Sequence, residues 1–161
     1  VPTENRLGRE GSGAQIFSSS MEWERACILG SYIGVMERQL EECIEYARTR
    51  KQFGQPIGKF QSVSNRVAEM KVRLESARLL LYKTAWLKKQ GKPAQLEAAM
   101  AKLHASQVAR EVTNLALQIH GGYGYMKDYP LERMYRDAKI TEIYEGTSEI
   151  MKVVIASNIL K

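Results

Sequence analysis

The residues best equipped for chemistry in this 161-residue chain lie in three stretches without helical periodicity. In ITEIYEGTSEI, Glu145 follows Tyr144 and precedes Gly146, Thr147 and Ser148. A carboxylate beside a backbone-permissive glycine can be presented into a cleft as a general base. It can equally be an acid placed favourably near a helix N-terminus, and the segment alone leaves both readings open. In RTRKQFGQPIGKFQ, cations are followed by Phe53. That set suits a phosphate with a stacked planar ring, or a helix dipole closed by cations beside an aromatic loop anchor. In QIHGGYGYMKDYP, Gly121 and Gly122 let a backbone approach a ligand closely, and Gln118 can both donate and accept a hydrogen bond. A plain glycine-rich helix connector is the alternative, and the stretch is not a phosphate loop following a strand. His104 and His120 lack any partner of triad or metal spacing, so structural roles are expected for both. Cys27 and Cys43 fall in an apolar helical pattern without CxxC or Cys/His spacing. The expectation is two buried free thiols and no metal site.

The elements that must position these residues are helices. Ala26, Leu29, Ile33, Met36, Leu40, Cys43 and Ala47 recur at alternating steps of three and four, which puts them on one helical face. Ser19 and Glu22 have capping-box spacing, so that helix is predicted to start there and run to about Arg48. Phe60, Val63, Val67, Met70, Leu74, Ala77 and Leu81 mark a second helix, with Leu80 and Trp86 broadening its face. Gly91-Lys92-Pro93 predicts a tight reversal, and Leu96, Met100, Leu103, Val108, Val112, Leu115 and Ile119 mark a third helix. His120–Pro130 is too rich in glycine and aromatics to be helical, whereas Leu131–Asp137 and Ser148–Leu160 predict short helices. Residues 1–18, opening with VPTENRLGREGSG, read as an extended arm, and residues 19–161 as one all-α domain, an antiparallel four-helix bundle. A coiled-coil filament is disfavoured by the breaks at Gly54–Gly58 and Gly121–Gly124.

Composition narrows the function classes. The chain is 44% hydrophobic and 26% charged, the balance of a globular domain with a core. The formal charge of +6 comes from Lys and Arg scattered beside Glu rather than gathered in one block, and no helix-turn-helix, zinc-finger or RNP-type motif is visible. Nucleic acid is therefore not an expected partner. No apolar stretch is long enough for a membrane span and no basic-then-apolar leader is present, so the expected location is cytoplasmic, or the mitochondrial matrix in a eukaryote.

Taken together, ARTRKQFGQPIGKFQ, QIHGGYGYMKDYPLERMYRDAKITEIYEGTSEI and the opening VPTENRLGREGSG resemble motifs of the acyl-CoA dehydrogenase family, in the family's order and spacing, across essentially the full chain. The resemblance is to the C-terminal helical bundle, with the first residues matching the segment that leaves a β-domain. It implies an FAD-dependent α,β-desaturation of an acyl-CoA thioester, by proton abstraction and hydride transfer to flavin. By the same resemblance Glu145 is the base, with Glu24 on the first helix, beside Arg25, as the alternative. Arg50, Phe53, Gln61, Gln118, Gly121 and Gly122 match positions near FAD, the arginine and the Q-x-x-G-G segment meeting a neighbouring subunit's cofactor. Thr147, Ser148 and Glu149 match contacts to FAD in the same subunit, and Arg25, Tyr144 and Gly146 positions near the acyl-CoA. The implied partners are the acyl-CoA substrate, further copies of the chain in a dimer or tetramer, and an electron-transfer flavoprotein. The isolated chain is expected to lack turnover. An acyl-CoA oxidase, a carrier-protein-linked dehydrogenase and a non-catalytic oligomerisation bundle are the other readings.

Overall fold

Apolar residues at three- and four-residue steps, punctuated by glycine and proline, fold into six α-helices in the computed structural model, which describes residues 1–161. They are α1 (Gly13–Cys27), α2 (Gly30–Thr49), α3 (Gln61–Lys89), α4 (Gln95–His120), α5 (Leu131–Ile140) and α6 (Ser148–Ile159). A small antiparallel hairpin, β1 (Lys51–Gln52) and β2 (Gln55–Pro56), joins α2 to α3. Its two turn residues, Phe53 and Gly54, have φ of 51° and 78°, the left-handed pair that a two-residue hairpin requires.

The arm ends earlier than expected. Helix α1 begins at Gly13, so Ser19 lies inside it and caps nothing. The expected single first helix is also two: the chain bends at Ile28–Leu29, where Leu29 sits fully in the core and Gly30 opens α2. The face predicted across that bend survives it, because Ala26, Leu29, Met36, Leu40, Cys43 and Ala47 are all buried. Cys43 is the buried thiol that was expected, but Cys27, at the end of α1, faces outward. Burial pushes the Cys43 thiol up to about 12, so it stays protonated and inert.

Helix α3 ends in a Schellman arrangement: Lys92 N–H reaches Leu87 O and Gly91 N–H reaches Lys88 O, with Gly91 at φ 67°. The reversal delivers α4 back through the middle of the molecule, where α1, α2, α3, α5 and α6 all pack on it. Thirteen of its 26 residues are buried, and alanines dominate: Ala98, Ala99, Ala101, Ala105, Ala109 and Ala116. Small side chains let neighbours close in from several sides, whereas the predicted Leu96, Met100 and Leu103 are only half-buried. On α3, Trp86 turns to the opposite, exposed face instead of broadening the buried one. The glycine-rich stretch after α4 is a 3-10 turn, Gly121–Tyr125, rather than irregular loop. Its Gly124 cannot be replaced cheaply, since a Cβ there would lie 2.7 Å from Leu117 O.

Candidate active site at two ends of the central helix

At the first end, the loop between α5 and α6 meets α1. Glu142 anchors the loop, its carboxylate accepting from Arg110 on α4 at 2.9 Å and from Lys139. Burial would raise its carboxyl, but those two hydrogen bonds outweigh burial and hold it below the ordinary value. Glu145 then adopts φ 56°, a left-handed conformation rare outside glycine, and Gly146 follows at φ 104°. Its φ favours glycine, and a Cβ there would come within 2.6 Å of Met151 Cε and 3.1 Å of Arg25 Nη2, so a larger residue would be strained and would displace the ends of both side chains. Arg25 Nε donates to Glu145 O at 2.9 Å, and Lys102 Nζ donates to Gly146 O at 2.6 Å. Thr147 closes the loop as the N-cap of α6, its Oγ1 accepting from Ile150 N at 3.3 Å. The Glu149 carboxyl, beside its own N–H and the Thr147 hydroxyl, is held low.

Interaction with the Glu24 carboxyl, then burial, then the repulsion between the two charges push the Glu145 carboxyl above the ordinary carboxylate value, while Arg25 and Lys102 pull it back. Its Oε2 is buried with no hydrogen-bond partner, which is costly for a carboxylate without a proton to accept or a ligand to meet. Glu24 itself is exposed and accepts from Ser20 Oγ at 2.9 Å. Glu24 makes no ion pair with its neighbour Arg25, whose guanidinium donates to the Glu145 carbonyl. Tyr144 is half-buried beside this cluster, 5.9 Å from Lys102 Nζ. The fold thus brings together Glu24, Arg25, Tyr144, Glu145 and Gly146, with Thr147, Ser148 and Glu149 on the adjoining helix start.

At the other end of α4, an open cleft of about 890 Å³ is lined by Arg50, Phe53, Phe60, His120, Gly121, Gly122 and Tyr123 among others. The Arg50 guanidinium lies over the Tyr123 ring at 5.2 Å, and Tyr46 and His120 stack at 4.1 Å. Phe53, displayed by its left-handed turn, is 93% exposed. Gly121 and Gly122 face open space where a Cβ would stand. Gln61 and Gln118 are exposed next to the wall residues Ser62 and Ile119, and neither lines the cleft itself. A planar aromatic ring and an anion fit this donor set: one guanidinium, several aromatic faces and bare backbone. Lys102 and His120, which mark the two ends, are 18 residues apart on α4, roughly 27 Å at about 1.5 Å per residue.

Three residues of these sites were not singled out from the sequence. Tyr46 lies in the apolar-patterned helix before Arg48 and Tyr123 in an aromatic-rich stretch, and each could as well have been core. Lys102 left a better signal: it stands four residues after Ala98 and three before Ala105, in the middle of the small-residue face of α4. Both histidines are hydrogen-bonded within the fold, His104 Nε2 with Ser76 Oγ at 2.8 Å and His120 Nδ1 with Ala116 O at 2.9 Å, and His120 also lines the cleft. No group of His, Cys, Asp and Glu could hold a metal ion, and no helix is long and apolar enough to cross a membrane.

Comparison with known proteins agrees with this architecture. The family described as acyl-CoA dehydrogenase, C-terminal domain, matches residues 11–160. An acryloyl-CoA reductase (NADH) of Anaerotignum propionicum is 53% identical over all 161 residues, which are 41% of its own length. Among solved structures, butyryl-CoA dehydrogenase from Megasphaera elsdenii superposes with a TM-score of 0.97 at 46% identity, covering the whole of this chain and 42% of that one. The prolyl acyl carrier protein oxidase AnaB does so with a TM-score of 0.97 at 53% identity, covering 99% and 42%. The chain belongs to the acyl-CoA dehydrogenase family and corresponds to its C-terminal helical domain. It spans about two fifths of the length of the relatives it matches.

Proposed function

We propose that the chain supplies the acid–base machinery and part of the flavin site of an FAD-dependent acyl-CoA dehydrogenase. The observation that carries this reading is Glu145: a carboxyl on a strained turn, raised in pKa, with one buried oxygen left unpartnered. The residues present fit FAD. Arg50 would meet the pyrophosphate, Gly121 and Gly122 would allow close backbone approach and Phe53 would stack, with Gln61 and Gln118 flanking the cleft. Thr147, Ser148 and Glu149 lie at the far end of α4. Two sites roughly 27 Å apart on one rigid helix favour contacts to two different FAD molecules, one of them bound mainly by a second subunit. Bound FAD would supply the hydride acceptor for the substrate's β-hydrogen.

The chain's own part in the step is the proton. Glu145 in its carboxylate form takes the α-proton of the thioester, leaving an α,β-unsaturated product once hydride has left the β-carbon. An acyl chain packed against Glu145 would exclude water, raise the carboxyl further and strengthen it as a base near neutral pH. Tyr144 and Gly146 border the acyl group, while Arg25 serves first to hold the loop. Acyl-CoA as substrate, assembly as a dimer or tetramer and an electron-transfer flavoprotein as acceptor belong to the same proposal. A carrier-bound acyl substrate, as in AnaB, is the second reading, since that oxidase shares the fold at higher identity than the butyryl-CoA enzyme.

In an enzyme containing this chain, single-turnover flavin reduction decides the base. Glu145→Gln is expected to slow reduction about 10²- to 10⁴-fold, and Glu24→Gln less than about tenfold. Near-normal reduction in Glu145→Gln with collapse in Glu24→Gln would transfer the role to Glu24.

A further inference from the structure

Lys102 is the largest fully buried side chain in the molecule, yet it lies on the alanine face of α4 and forms no ion pair within 4 Å. Its one hydrogen bond goes to Gly146 O at 2.6 Å. A buried ammonium satisfied by a single carbonyl is costly, and an unbranched apolar side chain of similar length would fill the space without that cost. What the ammonium does is therefore to be sought in the loop it touches. The carbonyls of Glu145 and Gly146 are each held by a cation from a different helix, Arg25 on α1 and Lys102 on α4. These are the two residues of the α5–α6 loop with positive φ.

We propose that Lys102 is the positioning residue for Glu145: through its hydrogen bond to the Gly146 carbonyl it fixes the left-handed turn that presents the Glu145 carboxyl. The inference rests on Glu145 being the base. The groups facing Glu145 are Glu24 and Arg25 from α1 and Lys102 from α4. Glu24 and burial work against ionisation, and the two cations work for it. The coupling is reciprocal, because Glu145 raises Lys102 in turn while burial and Arg25 lower it.

The test is NMR titration of the 161-residue chain with labelled Glu and Lys side chains. In Lys102→Met the Glu145 carboxyl is expected to titrate higher, by on the order of half a pH unit or more, with the Gly146 amide resonance displaced. In Glu145→Gln the Lys102 ammonium should titrate lower by the same amount, since linkage requires equal coupling in both directions. A purely structural Lys102 would change the melting temperature and leave the Glu145 midpoint in place, and that result overturns the inference. Should Lys102→Met not fold, the Glu145→Gln arm alone decides, an unmoved Lys102 midpoint being the negative outcome. In an enzyme containing the chain, Lys102→Met should shift the acidic limb of the kcat profile to higher pH and lower kcat at pH 7, with KM little changed. Normal turnover in Glu145→Gln would remove the base assignment while leaving the titration coupling intact, so the two failures are separable.

Discussion

His120 shows what a single buried residue does to the pH dependence of this fold. Its ring stacks on Tyr46, and its Nδ1 is bonded to Ala116 O, which makes Nδ1 the protonated nitrogen of a neutral imidazole. Burial lowers its pKa from the ordinary 6.5, against a smaller opposing pull from the Ala116 carbonyl. The unfolded chain therefore takes up a proton near pH 6.5 that the folded chain resists, and stability falls as pH drops below that value. Glu145, raised rather than lowered, has the opposite sign: the folded state binds its proton first, so acidification through its midpoint favours folding. His120→Phe keeps an aromatic stack on Tyr46 and removes the titrating group. Its melting temperature should fall less than that of the parent chain between pH 7 and pH 5.5; an unchanged slope would mean that His120 is protonated in the folded state. The lack of a partner at triad or metal spacing pointed to a structural role for His120, but nothing in the sequence pointed to its place in the wall of a cleft. That follows from where the C-terminus of α4 meets α2, a tertiary fact without a local sign.

At the scale of elements, apolar spacing carried most of the information, and capping signals carried less. Met70, Leu74, Ala77 and Leu81 were readable as one buried face of α3 because burial follows helical periodicity directly. The interior of α4 was read less well, because alanine is apolar without marking a face and the larger leucines drew attention to the wrong side. The start of α1 was misplaced because Ser19 and Glu22 have capping-box spacing by coincidence, inside a helix that Gly13 had already opened. Thr147 is a true cap, with its hydroxyl on Ile150 N. This difference is measurable by urea unfolding. Thr147→Ala should cost about 1 kcal/mol, whereas Ser19→Ala, exposed in mid-helix, should stay within about 0.5 kcal/mol of the parent. Leu74→Ala, on the fully buried face, should cost about 2–5 kcal/mol. A loss at Ser19 as large as that at Thr147 would restore the later helix start.

The molecule as a whole exposes more surface than a self-contained chain of its mass. Its accessible area is 10248 Å² at 18.3 kDa, against roughly 8,100 Å² for a compact monomer of that size. The excess, on the order of 2,000 Å², is more than the roughly 800 Å² that one partner contributes to a standard interface. Much of the exposed apolar surface is patterned. Val72, Leu79, Tyr82 and Trp86 stand at steps of seven, three and four on the outward face of α3, opposite its core face. Ile150, Val153 and Ile159 are exposed along α6. A helix that is apolar on two faces is built to be covered on both. A second copy of the chain is one cover available to it in solution. Light scattering is therefore expected to give a mass above 18.3 kDa that rises with concentration. Replacing Leu79 and Trp86 together by Glu places two charges in the outward stripe and leaves the face carrying Leu74 untouched. That variant should move to the monomer mass with its helical circular dichroism unchanged. A parent chain that stays monomeric across a hundredfold concentration range would show that this face is not covered by self-association.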